Sequence, residues 1–380
     1  EVRCIAAWAL GRMADKMRVT SPSSVSLLEA VLRDESEYLR KGAAWSLERI
    51  HRLRPLCWER LYPSGPNRQN MPGERTLRVG LVQMAMAPEV SDNLNKAVRM
   101  SEEAASRGAD IICLPEAFPF ANLTGPEPSL AESSEEPIGP FSRPFAQFAE
   151  KHKCHVVCPI QTVADGRYYN AAVFIDRHGQ CIGQYHKMHP TVGELENGVT
   201  PGTTEPPVFK TDIGVLGAQI CFDIEWSDGW RKLREAGAEL VFWPSAFGGG
   251  AMVNTKAWEN KYCVVSSTWK GTTKICDIDG RTIAGTGQYA DWVCAPVNLE
   301  KAFLHSWPFC RRFPEIQAKY GRKVSIRTFH EEEWTIIESL DPDVRIADVL
   351  KEFDLKTHEQ HIGEADTAQR RRREGLTQGV

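Results

Sequence analysis

The chain has 380 residues, of which 42% are hydrophobic and 25% charged, enough for one large α/β domain and a smaller unit, and too apolar for disorder to be its default. A formal net charge of −4 and a pI near 6.3 leave no basic footprint, so nucleic acid is not an expected ligand; the run Arg370–Arg373 reads as a solvated end. No stretch reaches the roughly 18 uninterrupted apolar residues of a membrane helix, and Glu1-Val2-Arg3 lacks signal-peptide organisation, so a cytoplasmic protein with no membrane partner is expected. The start at Glu1 rather than Met reads as a trimmed or partial N-terminus. The eleven cysteines are scattered without C-x-x-C pairs, which fits neither a disulfide framework nor a structural zinc site.

Residues 1–60 carry an internal repeat in which Val2-Arg3-Cys4-Ile5-Ala6-Ala7-Trp8 returns as Leu39-Arg40-Lys41-Gly42-Ala43-Ala44-Trp45, with a further helical stretch at Ser26 to Leu32. This small all-α segment resembles HEAT-like repeats. Two copies are fewer than a free-standing solenoid needs, so the segment is expected to be a helical extension, the alternative being a partner-binding surface. Residues 61–75, rich in Pro and Gly, read as a linker.

The main domain, residues 76–301, opens with a strand at Leu77 to Met84, a helix at Asn93 to Arg107 and a strand at Asp110 to Leu114. A loop runs to Pro140, followed by a helix at Arg143 to Lys153 and strands at His155 to Ile160, Ala171 to Asp176 and Gln180 to His186, the last two joined by the turn Arg177-His178-Gly179. After the strand leading to Cys221 come a helix after Ser227, strands at Leu240 to Trp243 and Tyr262 to Thr268 around a helix at Asn254 to Asn260, and strands at Ile275 to Ile278 and Trp292 to Val297. Adjacent strands mixed with helix crossovers predict a mixed sheet. Residues 302–380 read as an extension that wraps the main domain or a neighbouring subunit, with short elements at Thr328 to Glu338 and Asp348 to Phe353 and a disordered last twenty residues.

Three residues stand where apolar runs end: Glu116, Lys187 and Cys221. Strand carboxyl ends gather ligand sites in α/β folds, and a thiol beside a carboxylate and an ammonium supplies a nucleophile, a base and an oxyanion stabiliser. Taken singly, each has an ordinary reading as a buried thiol, a solvated turn Glu and an exposed Lys. His186 and His189 flank the lysine but lack zinc-site spacing, so no metal is expected.

The ordered motifs Leu114-Pro115-Glu116-Ala117-Phe118, Tyr185-His186-Lys187-Met188-His189-Pro190 and Gln219-Ile220-Cys221-Phe222-Asp223 resemble those of the nitrilase superfamily, the carbon-nitrogen hydrolases. The resemblance runs from about Arg78 to Leu299 and includes Gly80-Leu81-Val82-Gln83, Pro201-Gly202 and Trp243-Pro244-Ser245-Ala246. It implies a four-layer α-β-β-α sandwich of the nitrilase type and a homo-oligomer, dimer or larger. It further implies a Glu116-Lys187-Cys221 triad that needs no cofactor and acts on a small amide-type substrate and water. A second family glutamate falls between the lysine and Pro201-Gly202, where Glu194 and Glu196 compete and Glu194 is preferred because it follows Gly193 in the turn.

The backbone N–H of Phe222 is expected to join Lys187 at the oxyanion, and Phe118, Phe222, Trp226, Trp243 and Ser245 to wall the pocket. Phe222-Asp223 after the nucleophile is closer to the amidase and N-carbamoyl branches than to nitrile-cleaving members. The expected activity is hydrolysis of a small amide or N-carbamoyl compound with ammonia release through an acyl-thioester on Cys221. Nitrile hydrolysis and a non-catalytic scaffold using the N-terminal helices are the alternatives.

Overall fold

A computed structural model of the chain describes residues 75–83, 89–120, 123, 128–287 and 290–375. The HEAT-like segment 1–60 and nearly all of the linker 61–75 lie outside the described residues. By its internal contacts the chain divides into two compact units, and the larger includes Arg78–Ala295.

The expected elements of the main domain form, with shifts of a few residues at their ends. In chain order they begin with strand β1 (Thr76–Val82), helix α1 (Val90–Ala105) and β2 (Ile111–Cys113), then α2 (Leu130–Ser133), β3 (Ser134–Glu135) and α3 (Arg143–His152). Next come β4 (His155–Ala164), β5 (Arg167–Ile175), β6 (Cys181–His186), α4 (Val192–Glu196), β7 (Phe209–Thr211) and β8 (Gly214–Ala218). The unit continues through α5 (Asp228–Glu235), β9 (Leu240–Ser245), α6 (Ala251–Asn260), β10 (Cys263–Thr268), β11 (Lys274–Cys276) and β12 (Thr282–Gly285) to β13 (Trp292–Asn298).

Among the described residues two mixed sheets result. The first runs β13-β1-β2-β4-β5-β6 with β3 beside β4, and the second runs β12-β11-β10-β9-β8-β7. In the first, β1, β2 and β4 are parallel and the hairpin β4-β5-β6 antiparallel. Helix α1 places Asn93, Ala97, Met100 and Ala104 on one buried face, the i, i+3, i+4 spacing of an amphipathic helix. With Phe145, Phe148 and Ala149 of α3 this face packs on Ile112, Val156 and Val173. In the second sheet Trp230 and Leu233 of α5 and Val253 and Ala257 of α6 pack on Val241, Trp243 and Val264.

Residues on the opposite pleat, such as Val79, Ile111, Val157 and Phe174, are buried as well, which is why these strands read as continuous apolar runs rather than alternating ones. The two sheets meet through Phe174 and Phe242, whose ring centroids lie 6.2 Å apart, and through the Ser267 hydroxyl, which donates to the Cys113 carbonyl at 3.0 Å. No helix among the described residues is long and apolar enough to cross a membrane.

Three expectations meet a different structure. The loop before Pro140 contains α2 and β3, because the Ser129 N–H donates to the Glu132 carboxylate at 2.9 Å and starts a helical turn. The strand leading to Cys221 ends at Ala218, and Cys221 itself opens a 3-10 turn, Cys221–Glu225.

The third difference lies in the smaller unit, which includes residues 296–375 and has a core of its own. There β14 (Lys301–His305), β15 (Val324–Phe329) and β16 (Trp334–Ser339) form an antiparallel sheet in the order β14-β16-β15. Helices α7 (Phe313–Tyr320) and α8 (Ile346–Glu352) contribute Ile316 and Val349 to a core with Leu304, Ile337 and Phe353. Helix α9, His358–Arg373, stands where disorder is expected. It buries no residue and so shows no apolar period, yet Thr357 caps it, Glu359 lies in its first turn and four arginines lie in its last.

Pro201-Gly202 positions the end of β6. The Gly202 N–H donates to the Lys187 carbonyl at 2.8 Å, and a Cβ at Gly202 would stand 2.2 Å from the His186 carbonyl oxygen. Backbone atoms on both sides must then separate. Gly202→Ala is expected to destabilise the fold by about 2–4 kcal/mol, read as a lower midpoint in chemical denaturation; an unchanged midpoint would show that the segment yields freely.

Candidate active site

Three chain segments leave the two sheets at one place. Glu116 follows β2 by way of Leu114-Pro115, Lys187 follows β6 directly, and Cys221 lies three residues beyond β8. Glu116 and Lys187 are 5% and 1% exposed, so their charges must be satisfied within the protein. The Lys187 ammonium donates to Glu116 Oε1 at 2.9 Å and to Glu194 Oε2 at 2.8 Å.

Glu194 is fixed from behind. The Thr191 N–H donates to its Oε2 at 2.7 Å while the Glu194 N–H donates to Thr191 Oγ1 at 3.2 Å, the reciprocal cap of α4. Glu196 is exposed, and of the two candidates Glu194 is the one that the fold brings to Lys187.

Burial alone would depress the Lys187 pKa, but Glu116, the Cys221 sulfur and Glu194 outweigh it and hold the ammonium well above its ordinary range. Burial alone would raise Glu194; Lys187, the Asn170 amide and the Thr191 N–H reverse this and keep it below the ordinary carboxylate value. Lys187 and Glu194 are therefore ionised at neutral pH.

Asn170, which sequence reasoning missed, ties the two carboxylates together. Its Nδ2 donates to Glu116 Oε1 at 2.9 Å and to Glu194 Oε1 at 2.7 Å. The second Glu116 oxygen accepts the Ala246 N–H at 3.0 Å, and the Glu116 carbonyl accepts the Trp269 indole N–H. The available signal was a lone amide, 2% exposed, at the head of the buried run Ala171-Ala172-Val173.

Cys221 is half-buried with φ +47°, a left-handed conformation that a residue with a Cβ adopts only under constraint. Asp223 supplies that constraint. Fully buried, it accepts the Ile220 N–H at 2.8 Å, the Tyr185 hydroxyl at 2.7 Å and the His189 N–H at 2.8 Å. The Trp243 indole N–H holds the Cys221 carbonyl at 3.0 Å. The turn bearing the thiol is thus fastened to the end of β6 that bears Lys187.

Burial and the nearby Glu116 carboxylate push the thiol up to about 12 from an ordinary 9.0, against the opposing pull of Lys187 and of hydrogen bonds from Ser245 and Ala246. At neutral pH Cys221 carries its proton.

Glu116, Asn170, Lys187, Glu194 and Cys221 line one cavity of about 600 Å³, within the range of small-molecule sites. Phe120, Leu130, Val199 and Trp269 give it apolar wall, and Gln161, Asn197 and Thr191 polar wall. The expected pocket aromatics lie elsewhere. Ala117 turns at φ +40° into a 3-10 helix, Phe118–Phe120, that sends Phe118 into the core against Phe145 and leaves Phe120 at the cavity. Trp243 is fully buried behind the Cys221 carbonyl. Phe222 packs edge-on to Trp226, which is 38% exposed and stacks on His189 at 4.2 Å, and neither aromatic lines the cavity.

Ser245 is buried behind the thiol and contacts it without forming wall. Phe222 is the second residue of the 3-10 turn, whose opening N–H groups have no partner within the turn. His189 Nδ1 meets Asp223 at 3.0 Å and His186 stacks on Tyr169. Among the described residues no group of three or more His, Cys, Asp or Glu could hold a metal.

The sequence model of the carbon-nitrogen hydrolases matches residues 78–302. A Pseudomonas protegens protein described as "Hydrolase in pqqF 5'region" is 32% identical over 52% of this chain and 72% of its own length. The deaminated glutathione amidase of Synechocystis is 30% identical over 44% of this chain and 65% of its own, and the beta-ureidopropionase of Arabidopsis thaliana 31% identical over 47% and 48%. Among solved structures, the amidase from Nesterenkonia sp. AN1 superposes with a TM-score of 0.53 at 21% identity, covering 60% of this chain and 92% of that one. That likeness concerns the fold.

The raised thiol pKa gives a direct titration. Because the folded value is the higher one, the stability it confers is present below pH 9.0 and lost as pH rises through about 12. The thiolate absorbance difference between the parent and Cys221→Ala proteins should stay flat to pH 10; an inflection near pH 8–9 would show an ordinary solvated thiol.

Proposed function

Because the chain belongs to the carbon-nitrogen hydrolase family, we propose that it hydrolyses a small amide or N-carbamoyl compound through an acyl-thioester on Cys221 and releases ammonia. The observation that carries this reading is the convergence of Cys221, Glu116 and Lys187 on one cavity, with the ammonium paired to the carboxylate at 2.9 Å. An amidase and a ureidopropionase among relatives at 30–31% identity support the substrate class. The family's four-layer α-β-β-α sandwich is part of the same proposal, supported by helices on one face of each sheet and by the Phe174–Phe242 contact between the sheets.

The chemistry follows from the protonation states. A thiol with a pKa of about 12 is a poor nucleophile unless its proton leaves as the sulfur attacks, which requires a base in place. Glu116 is that base: it takes the thiol proton as the S–C bond forms. Negative charge then moves from sulfur to the carbonyl oxygen, where Lys187 and the Phe222 N–H stabilise it.

Glu116 returns the proton to the amide nitrogen, the C–N bond breaks and ammonia departs, leaving the thioester. Water, deprotonated by Glu116, attacks the thioester carbon and restores the thiol. Glu194 touches no reacting atom in this scheme. It positions Lys187, and Asn170 positions both glutamates. The proposal extends to a homo-oligomer, as the family resemblance implies.

Ammonia release from a panel of primary amides, N-carbamoyl compounds and nitriles tests the proposal. Turnover is expected with at least one amide or N-carbamoyl member, is abolished in Cys221→Ala, and falls in kcat by about 10²–10⁴ in Glu116→Gln, which keeps the size of the base but not its function. Equal activity in the parent and Cys221→Ala proteins would overturn the thiol mechanism, and turnover of nitriles alone would reassign the substrate class.

A further inference from the structure

On the reading that Glu116 is the base of a thiol hydrolase, one side chain joins that base to the cavity wall. Trp269 is half-buried and lines the cavity, and its indole N–H donates to the Glu116 carbonyl. Strands β9 and β10 end side by side, with Ser245 opposite Thr268, so the residues that follow them, Ala246 and Trp269, leave the sheet together. The Trp269 backbone N–H donates to the Ser245 carbonyl at 3.2 Å, and the Ala246 N–H donates to Glu116 Oε2 at 3.0 Å. With the indole on the Glu116 carbonyl, these contacts close a ring that grips the glutamate at its carboxylate and at its backbone. Ser245, in the same ring, also hydrogen-bonds the Cys221 thiol, so base and thiol share one support.

A second observation concerns the backbone. Pro115 has no N–H to donate, and Ala117 turns at φ +40°, a conformation that a residue with a Cβ keeps only where its surroundings hold it. The Glu116 carbonyl belongs to the peptide unit that joins Glu116 to Ala117, so the indole fastens the plane on which this left-handed turn pivots. Without that bond the turn is free to relax toward an ordinary φ, and the Glu116 side chain swings with it. A displacement of about 1 Å at a reacting group costs up to about 10²-fold in rate.

From these two features we propose that Trp269 is a positioning residue of this site, whose indole N–H holds the Glu116–Ala117 peptide so that the Glu116 carboxylate faces the Cys221 thiol. It touches no reacting atom through that bond and acts by way of Glu116. Two substitutions separate the donor from the bulk. Trp269→Phe keeps an aromatic ring and removes the N–H. Trp269→His, whose Nε2 overlays the indole nitrogen, keeps a donor and removes the benzo ring.

The test is the rate of Cys221 alkylation by chloroacetamide at neutral pH, followed by mass spectrometry of the peptide carrying it, with the exposed Cys181 as internal reference. The sulfur displaces chloride, the C–S bond forming as the C–Cl bond breaks, and the thiol proton passes to Glu116. Trp269→Phe is expected to slow this alkylation about 10- to 100-fold while Cys181 reacts as before, and Trp269→His to react at least about fivefold faster than Trp269→Phe. In a Glu116→Gln background Trp269→Phe should slow it no further, because the group it positions has lost its function. Parent-like alkylation in Trp269→Phe, an equal loss in Trp269→His, or a loss that persists in the Glu116→Gln background would overturn the proposal. Ammonia release from the amide and N-carbamoyl panel separates it from the hydrolase reading: in Trp269→Phe, kcat should fall in step with alkylation while KM stays within about threefold. Alkylation rates in the expected order with no ammonia release by the parent would keep the positioning and remove the hydrolysis. Release with kcat unchanged in Trp269→Phe would remove the positioning and keep the hydrolysis.

Discussion

A lysine ammonium that is almost wholly removed from water needs compensation, and at Lys187 two carboxylates provide it. Desolvating one such charge costs several kcal/mol, so the cluster persists only because each member is held by others. Glu116 is held by Asn170 and the Ala246 N–H, and Glu194 by Asn170 and its own helix cap. The remaining chemistry follows from this arrangement. Burial, with Glu116 beside it, keeps the neighbouring thiol protonated, so in the proposed reaction a base accompanies the attack, and the ammonium that binds the base is also in place for the oxyanion.

The position of the Cys221 thiol depends on a second constraint. A residue with a Cβ at φ +47° is held there by its surroundings, and the carboxylate of Asp223 collects donors from Ile220, Tyr185 and His189 to do so. Two of those donors belong to the segment that carries Lys187. Displacing either strand end therefore moves both the thiol and the ammonium, and Gly202, packed against the His186 carbonyl, guards one of them.

Much of this was legible in the sequence because the fold puts its chemistry where apolar runs stop. Strands buried on both faces read as unbroken hydrophobic stretches, and a charged residue or a cysteine at their ends is conspicuous. Asn170 lies inside such a stretch and looks like one polar residue in a strand; its importance appears only when β5 and β6 pair and two distant glutamates arrive. Phe118 and Phe120 were indistinguishable by type, and the left-handed turn at Ala117 decides which of them faces the cavity. Asp223 was legible as a residue following Cys221 but not as a staple, since its distant partners, Tyr185 and His189, come from β6 and the segment just after it. Helix α9 was hidden because it buries nothing, although its cap and terminal charges were there to be seen.

The proposed reaction runs through a covalent acyl intermediate on Cys221, whose buried thiol keeps its proton until attack. Rapid quenching of turnover, followed by peptide mapping in a mass spectrometer, tests it most directly. A mass increment equal to the substrate acyl group is expected on the peptide carrying Cys221 and on no other cysteine peptide. Ammonia release with no adduct, or an adduct on the exposed Cys181 instead, would contradict it.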